Sequence, residues 1–292
     1  MSSFDVTVRS PGLRRRRLVQ SVFAVVATLS AVIAVTMLGI VLGSVVSKGA
    51  SSLSVDFFTK PRGLFGEPGG IADAIIGSCL IVAMATLIAV PIGVLVAIYV
   101  SEFATKSIGT FVRVVLDVMN GIPAIVVGIF VFGVVVAGRG QSALAGAFAL
   151  SILMVPMVAR ATQEVLSLVP GGLREASLAL GVSRWRTVFG VVLPTATGGI
   201  VTGSVLAVAR VAGETAPLLF TSSITANAIN FDVHEALPTI PVAIFAYSES
   251  PDPHEQALAW TAALVLITFV LIASVIARAL SARSRRRLTG GN

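Results

Sequence analysis

Six apolar runs divide this chain of 292 residues, and they restrict its possible folds more than any other feature. The hydrocarbon core of a bilayer is about 30 Å thick, so a helix crosses it with about 20 apolar residues. Backbone amides and carbonyls find no water in lipid, and such runs must therefore be helical. The runs cover residues 18–46, 71–100, 112–137, 142–158, 195–222 and 257–280, of which only the fourth is short. We predict an all-α integral membrane protein with six transmembrane helices.

The composition agrees with a membrane protein and excludes several other classes. Only 12% of the residues are charged, against about 25% in soluble domains, and the mean hydropathy is +0.96. The net charge of +7 comes mostly from basic residues at the ends of apolar runs, which argues against nucleic-acid binding. Cys79 is the single cysteine, so an internal disulfide is excluded, and we expect it to be a small buried hydrophobe.

No feature of the sequence indicates catalysis or a bound cofactor. His234 and His254 lie 20 residues apart in a loop and do not define a metal site. The GxxxxGK[ST] run that binds nucleotide phosphates is absent, so we expect no ATP hydrolysis by this chain alone. No nucleophile or metalloprotease signature is found either.

The first apolar run allows two interpretations. It follows four arginines, Arg14 to Arg17, as the core of a signal peptide also does. It is longer than a typical signal core of about 7 to 15 residues and lacks an evident cleavage site, so we predict a transmembrane helix. This gives a cytoplasmic N-terminal tail over residues 1–17, a transmembrane domain over 18–280 and a basic cytoplasmic tail over 281–292.

The distribution of basic residues predicts the orientation. Six spans place both termini on one side of the membrane, and the positive-inside rule assigns the more basic side to the cytoplasm. Cytoplasmic termini put only Lys48, Lys60, Arg62 and Arg139 on the outer side and leave Arg210 within the membrane. The remaining 16 basic residues are then cytoplasmic: Arg9, Arg14, Arg15, Arg16, Arg17, Lys106, Arg113, Arg160, Arg174, Arg184, Arg186, Arg278, Arg283, Arg285, Arg286 and Arg287.

A charged stretch at residues 174–194 separates the fourth and fifth runs. Leu173, Ala176 and Leu180 share one helical face, which is typical of a short amphipathic helix lying on a second protein, and Gly181 supplies a turn. The alternative is a loop that rests on lipid headgroups through its arginines. The orientation above places this stretch in the cytoplasm.

The spacing in this stretch resembles the EAA signature of ABC importer permeases. Glu175, Ala176 and Ser177 precede Gly181, and the stretch ends at Pro194; Ser177 replaces the usual second alanine. The resemblance implies a type I permease-like bundle with a cytoplasmic coupling loop at about 161–194. It also implies that an ATPase subunit contacts Glu175, Ala176, Gly181 and Arg184.

Two charged residues interrupt the fifth run. A charge at the bilayer centre costs about 2.5 to 3.5 kcal/mol, so Arg210 and Glu214 are expected to face the bundle interior or water. Four residues apart on one helix, they can form a structural ion pair. Alternatively, Arg210 donates hydrogen bonds to an oxyanion in transit, and Glu214 restrains the Arg210 side chain. Glu214 could then accept a hydrogen bond from hydrogenphosphate, whereas sulfate has no proton to donate. Gly199 and Gly203 on the same face permit close helix approach or leave room for a pathway.

The third run contains Asn120, Gly121 and Pro123, which favour irregular backbone. A break here aims amide groups at an anion in some transporters, whereas an ordinary packing kink is the simpler interpretation. Pro91, Pro156 and Pro217 also predict kinks. The apolar middle of the stretch 223–255, residues 236–247, is either a re-entrant segment or an ordinary loop.

The runs at residues 210–220 and 120–128 are similar to the signatures of PstA-type permease subunits of phosphate ABC importers, and the similarity covers essentially the whole chain. It implies that Arg210, Glu214, Thr215 and Asn120 line a pathway for inorganic phosphate. It further implies a prokaryotic cytoplasmic membrane, a homologous PstC-like permease, two PstB-like ATPase subunits that use ATP and Mg²⁺, and an extracytoplasmic PstS-like phosphate-binding protein. Two alternatives remain: an ABC permease for another oxyanion, and a transporter or channel that needs no ATPase.

Overall fold

The computed structural model describes residues 11–63, 69–222 and 228–288, and within these ranges the side chains of residues 15–279. This part of the chain is helical and contains no strand. It forms two units, Met1–Lys48 and Gly49–Asn292. The helices are α1 (Pro11–Gly49), α2 (Val55–Thr59), α3 (Ala72–Ile98), α4 (Lys106–Gly121), α5 (Ala124–Val131), α6 (Ala143–Ser167), α7 (Gly171–Ala179), α8 (Arg184–Thr187), α9 (Leu193–Val211), α10 (Ala216–Thr221), α11 (Ile240–Ser248) and α12 (Pro253–Leu288).

Five helical stretches of the described residues are long and apolar enough to cross a membrane, and α4 with α5 adds a sixth if this bent pair is one span. Three π-helical turns extend the regular helices, after α3, after α5 and before α9. The five stretches are Arg15–Ser52, Ala72–Phe103, Ala143–Ser167, Arg184–Val211 and Pro253–Ala279. The predicted all-α membrane fold is confirmed. If the bent pair is one span, six spans put both ends of the chain on one side of the membrane, which the positive-inside rule predicts to be the cytoplasm. The division into tails and a permease domain stays a prediction, and residues 1–10 and 289–292 lie outside the described residues.

The pair α3 and α6 forms the centre of the second unit. A Cβ added to Gly93 of α3 would lie 2.8 Å from the Cβ of Val158 on α6, so the two helices approach closely. Ile81, Leu150 and Met154 fill the adjoining core without exposed surface. Pro91 and Pro156 both lie inside these helices, which continue past them.

Helix α9 packs against α6 through the two glycines of the GxxxG step. A Cβ on Gly199 would meet Val165 at 2.5 Å, and one on Gly203 would meet Ala161 at 2.7 Å. Small residues let the two backbones approach and gain van der Waals contact, the main attraction between helices in lipid. The glycines therefore serve helix packing and do not leave room for a pathway.

Helix α6 is longer than the predicted run 142–158, because it continues through Arg160 to Ser167. The charged side chain of Arg160 is accommodated within this helix because it has three partners. It donates to Gln163 Oε1 and to the carbonyl of Arg113, and it forms an ion pair with Asp117. The first residues of the predicted coupling loop, 161–167, thus belong to the membrane helix.

The third and fifth runs are broken rather than continuous. Helices α4 and α5 meet at 94° across Ile122 and Pro123, so the simple packing kink is wrong. The fifth helix begins at Arg184, not near residue 195, and ends at Val211. Four residues without regular helix follow before α10 starts at Ala216.

The apolar segment 236–247 contains the short helix α11, which is too short to cross the membrane. Its residues Ile240, Ala243 and Tyr247 are buried, and they pack with α3 and α12. A Cβ on Gly77 of α3 would lie 1.9 Å from the carbonyl oxygen of Pro238, so the chain entering α11 lies directly on α3. Residues 223–227 of the preceding stretch lie outside the described residues.

Candidate functional site

The coupling loop consists of α7, a tight turn and α8. Gly181 has φ +78°, a left-handed conformation that favours glycine, and it turns the chain between the two helices. The hydroxyl groups of Ser177 and Thr187 are buried and hydrogen-bonded to each other at 2.9 Å. The serine that departs from the usual alanine therefore joins α7 to α8.

One face of α7 is open to solvent in this chain. Leu173 and Leu180 are exposed, the latter by 84%, and Glu175 and Ala176 are exposed beside them. An apolar patch with polar neighbours is typical of a protein interface. This agrees with the predicted amphipathic helix, whereas contacts of Glu175, Ala176, Gly181 and Arg184 with an ATPase stay a prediction.

An aromatic stack supports the loop from the end of α3. The ring centroids of Phe103 and Trp185 lie 4.8 Å apart, and those of Trp185 and Phe189 lie 4.9 Å apart. The guanidinium carbon of Arg184 lies 5.7 Å from the centroid of Phe103, within the range of a cation–π contact. Arg184 is thus held at the surface by the same rings that position α8.

Arg174 connects α7 to the membrane helices. Its guanidinium donates to the carboxylate of Glu102, with Nη2 to Oε1 at 2.7 Å and Nε to Oε1 at 3.2 Å. It also donates to the carbonyls of Leu166 at 3.0 Å and Val169 at 2.8 Å, near the end of α6. The sequence did not single out this pair, since Glu102 lies 72 residues from Arg174 and no local spacing relates them.

The first helix break contains Asn120 and Gly121. Asn120 is exposed, and it lies three residues after Asp117 on the same face of α4, so Lys106, Arg113, Asp117 and Asn120 form one polar stripe. Arg160 of α6 pairs with Asp117 in the middle of this stripe. The charged residues Lys106, Arg113 and Asp117 thus lie along one side of α4, and Asn120 on the same side lies next to the break.

The second break separates Arg210 from Glu214, and it corrects the expectation of a shared helical face. Arg210 is exposed in the last turn of α9, while Glu214 lies in the non-helical residues after it. No ion pair joins them in the described part of the chain, so the predicted mutual restraint is absent here. Thr215 is half-buried, and its carbonyl accepts from Leu218 at 3.1 Å as α10 begins.

The helices that follow the two breaks pack against each other. A Cβ on Gly128 of α5 would lie 2.7 Å from the Cα of Pro217 in α10. Beyond both helices, the amide of Ser142 donates to the carbonyl of Thr221 at 3.0 Å, so α5 and α10 run toward the same end of the bundle. The contact lies three residues after Glu214 but eight residues after Asn120, beyond the 94° bend, so the structure joins the two helices and does not bring Asn120 into contact with Glu214.

The structure describes no group of three or more His, Cys, Asp or Glu side chains that is arranged for a metal, as far as its described residues extend. Cys79 is exposed on α3, which corrects the expectation of a buried position. Lipid tails are as apolar as the side chains of a protein core, so no hydrophobic force requires this residue to be buried, and a burial rule taken from soluble proteins fails for it.

Residues 89–286 match the family described as binding-protein-dependent transport system inner membrane component. The phosphate transport system permease protein PstA of Pasteurella multocida is 39% identical over 240 residues, 82% of this chain and 85% of that protein. The PstA protein of Mycobacterium leprae is 36% identical over 304 residues, 99% of each chain.

Solved structures support the fold. A bacterial ABC transporter for import of the acidic polysaccharide alginate has a TM-score of 0.64, with 13% identity, over 92% of this chain and 99% of that chain. An inward-facing MetNI methionine ABC transporter has a TM-score of 0.56, with 18% identity, over 73% of this chain and 93% of that one. The family match and the relatives together establish that the chain belongs to the inner membrane components of binding-protein-dependent transport systems, among the PstA permease proteins.

Proposed function

We propose that this multi-pass protein of the cytoplasmic membrane is the permease subunit through which an ATP-driven importer moves inorganic phosphate into the cell. The chain itself is the non-catalytic part. ATP and Mg²⁺ are used by two PstB-like ATPase subunits, a PstC-like permease completes the pathway, and a PstS-like protein delivers phosphate from outside. The PstA relatives, similar over nearly the whole chain, support this assignment.

The observation that carries the proposal is the contact between the two helices that follow the helix breaks. An apolar bundle offers an anion no favourable path, and non-helical backbone at membrane depth is tolerated only where it lines a cavity or is buried in protein. Both breaks are followed by helices in close contact at Gly128 and Pro217. Asn120, Glu214 and Thr215 lie in or beside these breaks, and Arg210 lies in the last turn of the helix before the second one.

Arg210 is suited to bind the anion, because a planar guanidinium donates two parallel hydrogen bonds to phosphate oxygens. It is exposed in this chain and has no ion-pair partner among the described residues, so its donors are available on the surface that a second permease would cover. Glu214 supplies an acceptor for the proton of hydrogenphosphate.

Uptake into vesicles that contain the assembled complex tests the role of Arg210. We expect Arg210→Lys to assemble normally and to reduce phosphate uptake by about tenfold or more, since a point charge replaces a forked donor worth about 1.5 to 3 kcal/mol. Arg139→Lys, in an exposed turn outside the helices, is the matched control and should transport like the wild type. Normal uptake by an assembled Arg210→Lys complex would show that Arg210 does not bind the substrate.

A further inference from the structure

We propose that the ion pair of Arg174 and Glu102 is the joint through which the coupling helix α7 moves α3 and α6 as one body. This inference rests on the proposed function, because it assigns the path by which an ATPase movement reaches the pathway. It concerns the inner side of α7. The exposed side, with Glu175 and Ala176, is left free for the partner.

The geometry of Arg174 supports a joint between three elements. Its guanidinium belongs to α7, its carboxylate partner Glu102 belongs to the π-helical turn after α3, and its carbonyl partners Leu166 and Val169 lie at the end of α6. The amide of Ala104 donates to the carbonyl of Tyr99 at 2.8 Å to close the π-helical turn. Single π turns of this kind occur frequently at functional sites. One side chain thus fastens the coupling helix to both central helices.

Burial makes this connection resistant to separation. The side chain of Glu102 is 7% exposed and that of Arg174 is 26% exposed. Removing one member of a buried ion pair leaves an uncompensated charge, which is strongly unfavourable. The fork of Arg174 also fixes orientation, since its nitrogens donate at the same time to the carboxylate and to the two carbonyls. When α7 is displaced, moving the central helices with it is less costly than breaking the joint.

The packing of the central helices carries such a movement further. Gly93 and Val158 interlock α3 with α6, and Gly203 and Ala161 interlock α6 with α9. Close-packed interiors transmit displacement because they hardly compress. Arg210 lies in the last turn of α9, so a displacement that begins at Arg174 reaches the second helix break through two tightly packed interfaces.

The test measures coupling in the complete complex, reconstituted in vesicles with the ATPase, the second permease and the phosphate-loaded binding protein. We expect Arg174→Gln and Glu102→Gln complexes to keep the ATPase bound and to keep the basal rate of ATP hydrolysis. The acceleration of ATP hydrolysis by the loaded binding protein should fall by about tenfold, which is a typical effect of a lost coupling energy. Phosphate uptake should fall by the same factor. Glu175→Ala should instead weaken ATPase association, because it changes the exposed face.

A second variant keeps the test decisive if the single substitutions prevent assembly. Cysteines replace Glu102 and Arg174 in a Cys79→Ser background, and a short reducible bifunctional thiol reagent joins them. The linked complex should regain the acceleration of ATP hydrolysis by the loaded binding protein and should regain phosphate uptake. Cleavage of the linker by a reducing agent should abolish both. Asp56→Asn, which opens the exposed ion pair of Asp56 with Lys60, is the control and should couple normally.

Two results overturn the inference. One is an assembled Arg174→Gln or Glu102→Gln complex with wild-type acceleration and uptake. The other is a linked complex that stays uncoupled. Either result leaves the proposed function intact if the wild-type complex imports phosphate with ATP. A wild-type complex that does not import phosphate contradicts the proposed function instead, so the two failures are distinguishable.

Discussion

Arginine side chains occupy two contrasting environments in this protein. The guanidinium of Arg174 is shared among a carboxylate and two backbone carbonyls, so it is held in one orientation. Arg210 is exposed at the end of α9, without an ion pair in the described part of the chain. A guanidinium that has all its acceptors is structural, whereas one with open donors beside a helix break is available to an anion. The same residue type thus positions the coupling loop and serves the pathway.

Glu214 permits a test of selectivity at the residue scale. Replacing its carboxylate by an amide, Glu214→Gln, removes a negative charge and adds donors, so sulfate should compete better against hydrogenphosphate. We expect the preference for phosphate to fall by about tenfold, the value of one charge-assisted hydrogen bond. The measurement is competition of sulfate against phosphate binding to the solubilised complex without its binding protein.

The control for this prediction is Glu249→Gln, an exposed carboxylate at the end of α11. It should leave the competition unchanged. An unchanged preference in Glu214→Gln would remove Glu214 from the pathway.

At the scale of elements, the sequence predicted features within continuous helices and turns but did not predict where a helix breaks. The Gly181 turn, the amphipathic α7 and the close approach at Gly199 and Gly203 follow from residue type and spacing, and the structure confirms them. The pairing of Arg210 with Glu214 assumed a continuous helix. The break contains Gly213 and Glu214 and precedes Pro217, but glycine and proline also occur inside membrane helices, so residue type alone does not separate a break from a kink.

Ion pairs between residues far apart in the chain could not be predicted from the sequence either. Arg174 and Glu102 lie 72 residues apart, and Arg160 and Asp117 lie 43 residues apart, so no local spacing relates them. Their partners are set by the packing of α3, α4 and α6. The one local signal was the polar stripe of α4, where charges at helical spacing interrupt a predicted membrane span.

The contact between α6 and α9 gives a prediction of stability. In Gly203→Ala the new Cβ would lie 2.7 Å from the Cβ of Ala161, which is fixed to its backbone, so the helices must separate. We expect a loss of about 1 to 3 kcal/mol in the free energy of unfolding, as for other overpacked cores. The measurement is denaturant unfolding in detergent.

Gly190→Ala is the matched control, because no atom lies within 4 Å of a Cβ at Gly190. This variant should be unchanged or more stable by about 0.5 to 1 kcal/mol, since alanine favours helix. Equal destabilisation of both variants would show that the α6 and α9 contact is not tightly packed.

At the scale of the whole molecule, topology and chemistry agree on one direction of action. With six spans, the excess of basic residues predicts that the termini and α7 are cytoplasmic, where ATP is available. The proposed pathway residues lie at or beside the two helix breaks, and the close-packed helices α3, α6 and α9 connect α7 with the second break. In the proposed function, the chain converts ATPase movement into alternating access and performs no chemistry itself.

ATP-driven phosphate uptake tests this account most directly. The complete complex is reconstituted in vesicles with phosphate-loaded binding protein outside, and the entry of labelled phosphate is followed with and without the ATPase subunits and with and without ATP. We predict uptake only when both the ATPase and ATP are present. Phosphate entry through this chain in the absence of the ATPase would contradict the account, because the coupling loop would then have no part in transport.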